Sequence, residues 1–280
     1  MKNFNNGTAI ITGAASGFGF ETSRLAAQRG MNVVMADVQQ DALDRAAAEV
    51  EALGAATQAR FGAPQIVFNN AGVGAGGLIW ENTVADWEWV LGVNVMGVAH
   101  GIRVFTPMML SAAEKDPAYE GHIVNTASMA GLLNPPNMGV YNVSKHAVVS
   151  MSETLYQDLR LVTEQIGASV LCPFFVPTGI TESQRNRPLE LAAAKPTRSQ
   201  LIGKAMSERA VGHGKVSAAD VAGYVFDAIA AGRFYIYSHP KSLASVQTRL
   251  EDVVQARNPT DPFAGKPEIG AELRAALRAR

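Results

Sequence analysis

The chain has 280 residues, of which 48% are hydrophobic and 18% are charged, and its formal net charge is −1. A chain of this size can bury one large core, and α/β folds of this length commonly form a single domain. The small, mixed charge predicts binding neither to nucleic acid nor to an anionic membrane. The single cysteine, Cys172, excludes an intrachain disulfide, and we expect it to be buried as a small apolar side chain.

The first forty residues have the order strand, glycine-rich turn, helix, strand. An apolar run from Thr8 to Ile11 precedes T-G-A-A-S-G-F-G, and an amphipathic stretch covers Phe20 to Gly30. A second apolar run covers Met31 to Ala36 and ends at Asp37. This order is typical of a dinucleotide-binding unit.

The glycines of the turn have separate expected roles. Gly13 permits a sharp turn, Gly17 lets backbone amides approach a pyrophosphate, and Gly19 lets helix and strand pack closely. The amino end of the following helix offers free N–H groups and a positive dipole end to phosphates. The alternative is a tight turn that binds no ligand.

Asp37 is placed to choose the cofactor. A carboxylate at this strand end can accept hydrogen bonds from the adenosine ribose hydroxyls and repels a 2′-phosphate, which favours NAD over NADP. No Arg or Lys occurs between Gly13 and Gly19 or from Val38 to Gln40, so a 2′-phosphate has no evident partner. Asp37 can also be interpreted as a cap for a helix that begins near Asp41.

Later segments continue to alternate, which predicts a parallel sheet with helices on both faces. The predicted strands are Gln65 to Asn69, His122 to Ala127, Gly167 to Cys172 and Phe234 to Tyr237. The predicted helices are Asp86 to Leu110, stopping near Pro107, then Asn142 to Gln165, and Ser217 to Ala231 with Ser217 as N-cap and Asp220 at the third position. The predicted fold class is therefore α/β, a single-domain Rossmann-like doubly wound parallel sheet spanning residues 1–280.

Tyr141 and Lys145 lie four residues apart in Y-N-V-S-K, thirteen residues after Ser128. Residues four apart share one face of a helix, so the Lys145 ammonium can lie beside the Tyr141 hydroxyl. A phenol has an unperturbed pKa of about 10, and a nearby cation favours its phenolate. Ser128 can hydrogen-bond the same substrate oxygen from another direction.

Further motifs complete a pattern: N-N-A-G at Asn69 to Gly72, Asn94 in G-V-N-V-M-G, and Ser128 in I-V-N-T-A-S. With the glycine turn and Y-x-x-x-K, the chain resembles a short-chain dehydrogenase/reductase from about Thr8 to Thr178. The resemblance implies a catalytic tetrad of Asn94, Ser128, Tyr141 and Lys145. In the family the Tyr is the acid/base and the Ser polarises the carbonyl. The Lys also holds the nicotinamide ribose, and the Asn supports a water relay toward the Lys.

The resemblance also implies a set of cofactor contacts. Backbone near Val176 should contact the carboxamide and Thr178 the phosphate, while Asn70, Ala71 and Gly72 line the cleft. The full set is Gly13, Ser16, Gly17, Phe18, Gly19, Asp37, Asn70, Ala71, Gly72, Tyr141, Lys145, Pro173, Val176 and Thr178. One departure is Phe174, which follows Pro173 where the family has glycine, so we expect it either to narrow the nicotinamide pocket, to face away or to pack in the core.

A second departure is the short segment between Gly54 and Gln65, which contains only ten residues. The family places a strand and a helix here, which need about 5 and 11 residues plus turns. We therefore predict a sheet without the usual third, edge strand and its helix. Right-handed crossover then places the helix of about Asp41 to Leu53 on the face opposite the Phe20 to Gly30 helix. The alternative is that residues are absent from the sequence here.

By resemblance, residues 179–215 form a substrate lid. Its basic residues, Arg185, Arg187, Lys195 and Arg198, suit an acidic substrate or, more commonly, a solvated helix face. The predicted pocket floor is apolar and comprises Met129, Leu132, Leu133, Met138, Phe174 and Phe175. It favours a hydrophobic secondary alcohol or ketone.

Residues 239–280 form a C-terminal extension in which Asn-Pro, Asp-Pro and Lys-Pro pairs predict extended chain between short helices, with Ala271 to Arg280 helical. By analogy with the family we expect a homodimer or homotetramer. We expect no metal, no signal peptide and a cytoplasmic location.

The predicted function is NAD-dependent interconversion of a secondary alcohol and a ketone. The alternatives are an NADPH-dependent ketoreductase and a non-catalytic nucleotide-sensing protein.

Overall fold

A computed structural model describes residues 1–37, 43–192 and 195–279. Its centre is a six-stranded parallel sheet in the order β2-β1-β3-β4-β5-β6. The strands are β1 (Thr8–Thr12), β2 (Asn32–Ala36), β3 (Ile66–Asn69), β4 (Gly121–Thr126), β5 (Ile166–Cys172) and β6 (Tyr235–Tyr237). The predicted α/β class with a doubly wound parallel sheet is confirmed.

The α-helices of the described chain surround this sheet. They are α1 (Gly17–Gln28), α2 (Leu43–Phe61), α3 (Val84–Leu91), α4 (Gly97–Lys115), α5 (Ala130–Leu133), α6 (Gly139–Val162), α7 (Arg198–Gly212), α8 (Ala218–Ala231), α9 (Leu243–Val254) and α10 (Pro267–Arg278). A π-helical turn, Gly92–Met96, joins α3 to α4, and short 3₁₀ segments occur at Ile79–Glu81, Gly179–Asn186, Leu189–Leu191 and Pro240–Ser242.

The two faces of the sheet carry separate cores. On one face α1 and α8 pack together, with Ala26 and Phe226 in the same buried cluster as Ile11 of β1. On the other face Phe105 of α4 and Leu155 of α6 pack beneath the sheet. Side chains of the central strands point alternately to these two clusters, as expected when both faces of a parallel sheet are covered.

The shortened crossover is confirmed. Residues 54–65 are all described and contain no strand, so β1 pairs directly with both β2 and β3. Leu53 joins the cluster of α4 and α6, which places α2 on the face opposite α1. The predicted helix end at Leu53 is wrong, because α2 continues to Phe61. A methyl group placed on Gly54 would lie 2.8 Å from Val104 Cγ1, so this glycine lets α2 approach α4 and does not end the helix.

The predicted stop near Pro107 is also wrong, since α4 runs through Pro107 to Lys115. Proline removes one helical hydrogen bond, but Phe105 and Met109 are fully buried on either side, and their packing holds the helix. The stretch Val84–Lys115 has the length and mean hydropathy, 1.2, of a membrane-spanning helix. Part of this stretch packs beneath the sheet, where Phe105 and Met109 belong to the core.

Other sequence predictions are confirmed or corrected near the C-terminus. Ser217 caps α8 through a reciprocal capping box with Asp220, as predicted. Cys172 is fully buried, as predicted. The last helix begins at Pro267 and not at Ala271, because proline is favoured in the first turn of a helix, where its missing N–H is not needed.

Candidate active site

The predicted site residues meet at the carboxyl edge of the sheet. The glycine turn follows β1, N-N-A-G overlaps the end of β3, Ser128 follows β4 and Pro173 follows β5. In open α/β sheets this edge is where ligands bind.

The turn between β1 and α1 accepts only glycine at its key positions. Gly13 and Gly17 have φ of 64° and 53°, in the left-handed region. A methyl group placed on Gly19 would lie 2.2 Å from the carbonyl oxygen of Gly13. Ser16 is the N-cap residue of α1, and within the described chain its side chain forms no capping hydrogen bond. The first amides of α1 therefore suit a pyrophosphate.

Asp37 lies at the carboxyl end of β2, where its carboxylate is exposed to solvent. Its Oδ2 accepts a hydrogen bond from the backbone N–H of Ala15 at 2.8 Å. This contact fixes a negative charge beside the glycine turn. The alternative role as a helix cap concerns the chain from Val38 to Ala42, which lies outside the described residues.

Thr12 joins the glycine turn to N-N-A-G and was not among the predicted site residues. Its Oγ1 accepts hydrogen bonds from the N–H groups of Asn70 and Ala71, at 2.9 and 3.1 Å. Asn70 Nδ2 in turn donates to the Thr12 carbonyl at 3.1 Å. A hydroxyl residue ending a buried strand immediately before Gly13 was the available signal, although the sequence does not show which loop it meets.

Asn94 is fully buried in the π-helical turn between α3 and α4. Its Oδ1 accepts from Val73 N at 2.8 Å, and its Nδ2 donates to Val73 O at 3.0 Å and to Ser144 Oγ at 3.0 Å. π-Helical turns occur frequently at functional sites. The side chain thus fixes the loop that follows Gly72, and Ser144 is a further residue that sequence reasoning missed.

Lys145 is also buried, with 3% of its surface exposed. Its Nζ donates to the Thr126 carbonyl at 2.9 Å. Burial lowers its pKa to about 8, while the nearby Cys172 acts in the opposite direction. A methyl group placed on Gly72 would lie 3.3 Å from both Lys145 Nζ and Asn94 Oδ1, so this glycine leaves room between the two side chains.

Tyr141 lies on the same face of α6 as Lys145, whose Nζ is 5.8 Å from the centroid of the Tyr141 ring. Burial raises the pKa of Tyr141, and a hydrogen bond with Ser128 partly opposes this rise. The pKa of Tyr141 is therefore raised overall, whereas the nearby cation alone would lower it. The physical reason is that Lys145 is buried and Tyr141 partly buried, and that the ammonium of Lys145 is directed to the Thr126 carbonyl.

The loop after β5 closes the other side of the site. The Pro173 carbonyl accepts from Met129 N at 2.9 Å and from Ser128 Oγ at 3.4 Å. Thr178 Cγ2 would lie 3.3 Å from a methyl group on Gly17, so this loop reaches the glycine turn. The Val176 side chain is buried in the core of α1 and α8, and Phe18 packs against the same cluster. If Val176 and Phe18 contact the cofactor, they therefore do so through their backbone atoms or through the edge of the Phe18 ring.

A family model described as short chain dehydrogenase matches residues 7–59 and 45–188. The chain belongs to the short-chain dehydrogenase family. It is an enzyme, an NAD(P)-dependent oxidoreductase.

Similar proteins span nearly the whole chain. The CLA biosynthesis dehydrogenase/reductase of Lactiplantibacillus plantarum is 31% identical over 280 residues, covering 91% of this chain and 95% of that protein. The 1-deoxy-11-beta-hydroxypentalenate dehydrogenase of Streptomyces exfoliatus is 32% identical, covering 88% of this chain and 87% of that protein. A solved short chain dehydrogenase/reductase from Burkholderia phymatum, in complex with NAD, superposes with a TM-score of 0.89 at 50% identity, covering 94% of this chain and 100% of that chain.

The residues of the predicted pocket floor of this dehydrogenase differ in their exposure. Met129 is fully buried, and Leu132 and Leu133 pack against the same core cluster. Phe174 is 39% exposed and does not pack in the core. Its ring centroid lies 4.3 Å from that of Phe175 and 5.8 Å from that of His239. These rings form an aromatic surface one residue from the carbonyl that contacts Ser128.

The basic residues of the predicted lid are not all solvated in the enzyme. Arg185 is exposed and pairs with Glu182 at 2.6 Å within its own segment. Arg187 is buried, with 4% of its side chain exposed, and pairs with Asp86 of α3 at 2.6 Å. The interpretation as a solvated face therefore fits Arg185 and is wrong for Arg187.

Proposed function

We propose that the chain is an NAD-dependent dehydrogenase that interconverts a hydrophobic secondary alcohol and its ketone. The observation that carries this proposal is the meeting of Tyr141, Ser128 and Lys145 near a glycine turn whose first helix amides suit a pyrophosphate. The group that moves the proton and the site that holds the hydride carrier then share one cleft.

The residues present fit the dinucleotide. The free amides at the start of α1 would hold the pyrophosphate, with Thr178 beside Gly17, and Asp37 would hold the adenosine ribose. Lys145 would hold the nicotinamide ribose. When bound, NAD supplies a hydride acceptor and a positively charged ring.

In the proposed chemistry Tyr141 exchanges a proton with the substrate oxygen and Ser128 positions that oxygen. Because burial raises the pKa of Tyr141, the phenol is protonated at neutral pH in the chain alone and can act as the acid in ketone reduction. Alcohol oxidation needs the phenolate, so its rate should rise with pH. Asn94 acts indirectly, because its hydrogen bonds hold the loop that lies against Lys145.

Two observations support NAD in preference to NADP. Asp37 presents an exposed carboxylate that is fixed by Ala15 N, where a 2′-phosphate would add a second negative charge. The solved structure that is 50% identical to this chain is in complex with NAD.

A hydrophobic substrate is supported by the half-exposed Phe174 and its contacts with Phe175 and His239. An aromatic surface of this kind is stabilised when an apolar substrate covers it.

Four further features stay predictions: the lid of residues 179–215, the extension of residues 239–280, the cytoplasmic location and the homodimeric or homotetrameric state. The mass of the protein by light scattering would test the last of these.

The test is a titration with NADH and NADPH, followed by a panel of alcohols and ketones monitored by reduced-nicotinamide absorbance. We expect tighter binding of NADH and turnover of apolar secondary alcohols. Preferential binding of NADPH would favour the ketoreductase alternative. Tight NADH binding with no turnover across the panel would favour the nucleotide-sensing alternative, and turnover of small charged alcohols only would contradict the substrate class.

A further inference from the structure

Arg187 is a buried cation outside the catalytic tetrad. Its Nη1 donates to Asp86 Oδ1 at 2.6 Å, and its Nε donates to the carbonyl of Leu191. Its guanidinium also lies 5.0 Å from the centroid of the Trp89 ring. A buried charge with a partner, a backbone acceptor and an aromatic surface is held in one position.

The segment that ends at Arg187 crosses the proposed cofactor cleft. It begins at Thr178, which lies against Gly17 of the glycine turn. It then contacts the loop after N-N-A-G, because Ser183 Oγ accepts from Gly74 N at 2.8 Å. Residues 178–187 are hereafter called the strap. The strap therefore touches both loops that flank the cleft before it reaches α3.

Asp86 connects the end of the strap to α3, the helix that leads into the turn with Asn94. Its Oδ2 accepts from Thr83 N at 2.8 Å and completes the capping box of α3. Burial acts to raise its pKa, but hydrogen bonds from Arg187 and Thr83 lower it, so the carboxylate stays ionised. Since α3 continues into the π-helical turn, the ion pair links the strap to the element that carries Asn94.

We propose that Arg187 is a positioning residue whose ion pair with Asp86 holds the strap across the dinucleotide cleft. The identity of the bound ligand rests on the proposed function, whereas the anchoring of the strap does not. Removing one member of a buried pair leaves the other as an unpaired buried charge, so one substitution should release the strap. The strap would then open more often, and a bound dinucleotide would escape more readily.

The first test measures how often the strap opens in the absence of cofactor. The observable is the hydrogen-exchange rate of its backbone amides. In Arg187→Met we expect the amides of residues 179–186 and of Gly74 to exchange about tenfold faster than in the wild type. The exchange rates of Arg187→Lys should lie between those of Arg187→Met and the wild type, because lysine keeps the charge but lacks the planar guanidinium group. The matched control is Arg185→Met, which removes an exposed arginine of the same segment and should leave these rates unchanged.

The second test measures the Kd for NADH by fluorescence, with kcat and KM for NAD where turnover is found. Arg187→Met should weaken NADH binding about tenfold and raise KM for NAD similarly, with kcat within about twofold of the wild type. Adding Asp86→Asn to Arg187→Met should recover part of the lost affinity, because the unpaired carboxylate is removed.

Unchanged exchange rates in a folded Arg187→Met would overturn the proposal, as would an NADH Kd equal to that of the wild type. If Arg187→Met does not fold, unchanged exchange and Kd in Arg187→Lys would overturn it equally. If the wild type binds no NADH, the proposed function fails, and the exchange experiment still decides whether Arg187 anchors the strap.

Discussion

The proposed cleft has a catalytic end, with the predicted tetrad, and an adenosine end, with Asp37, and the two are built in different ways. At the catalytic end Asn94 and Lys145 are buried and receive hydrogen-bond partners from several elements. At the adenosine end Asp37 is exposed and follows β2, the edge strand of the sheet. Desolvation is therefore the main influence on the pKa values of Tyr141 and Lys145, whereas the proposed selectivity at the adenosine end would depend on one solvated charge.

The missing third strand accounts for much of this contrast. Among the residues that the structure describes, β2 has a single neighbouring strand, β1, and Met35 is 51% exposed on that edge. The direct crossover through α2 keeps the core intact, because α2 packs on α4 under the remaining strands. The sheet is thus reduced at the adenosine end, while the predicted site residues lie at the carboxyl ends of the strands that remain.

The largest expected effect at the catalytic end is the loss of turnover when the Tyr141 hydroxyl is removed. Tyr141→Phe removes the proton donor and should lower turnover by about a thousandfold or more, while the Kd for NADH stays within about twofold. Steady-state kinetics and NADH titration measure the two effects. Tyr156→Phe, a change of the same kind on the same helix, is the control and should retain activity. Activity of Tyr141→Phe close to that of the wild type would exclude Tyr141 as the acid/base.

The buried state of Lys145 should appear as a pH dependence of stability. Burial lowers its pKa from 10.5 to about 8, so between these values the unfolded chain binds more protons at this site than the folded chain. Stability contributed by this site therefore rises with pH across that window. Relative to Lys145→Met, the wild type should gain about 2 kcal/mol in free energy of unfolding between pH 8 and pH 10.

Urea unfolding at several pH values measures this difference. The control is Lys204→Met, because Lys204 is a solvent-exposed lysine of α7 whose replacement should give a difference that does not change with pH. A constant difference for Lys145→Met as well would mean that Lys145 titrates in the folded chain as it does in water.

At the adenosine end, Asp37→Asn keeps an acceptor for Ala15 N and removes the charge. The preference for NADH over NADPH should fall about tenfold, or about 1.4 kcal/mol, with activity on NAD retained. Paired titrations measure the ratio. Asp116→Asn replaces an exposed carboxylate that also accepts a backbone N–H, from Ala118 at 2.8 Å, and should leave the ratio unchanged. An unaltered ratio in Asp37→Asn would assign selectivity to other residues.

The smallest effect concerns the crossover itself. Gly54→Ala places a methyl group against Val104, so it should lower the free energy of unfolding by about 1 kcal/mol. Gly223→Ala, in α8, meets no atom within 4 Å and should instead stabilise by about 0.5–1 kcal/mol. Thermal unfolding compares the pair. Stabilisation by both substitutions would show that α2 and α4 are not in close contact.

Local signals predicted most of the frame correctly. The glycine turn, the alternating strands and the capping box at Ser217 depend on residues close in sequence, so their patterns can be recognised there. The face of the sheet covered by α2 was also predictable, because chain length and crossover handedness left one solution. The predicted helix end at Pro107 was wrong because burial of Phe105 and Met109 outweighs one lost hydrogen bond.

The sequence alone predicted the family, the order of the elements, the tetrad and a sheet without the third strand, because each depends on spacing along the chain. Only the tertiary structure decided that Arg187 is buried against Asp86, that Met129 belongs to the core, and that burial raises the pKa of Tyr141. These properties depend on how much water and which charges surround a side chain. That environment is created by segments far apart in the chain, 101 residues in the case of Asp86 and Arg187, so spacing along the chain does not contain it.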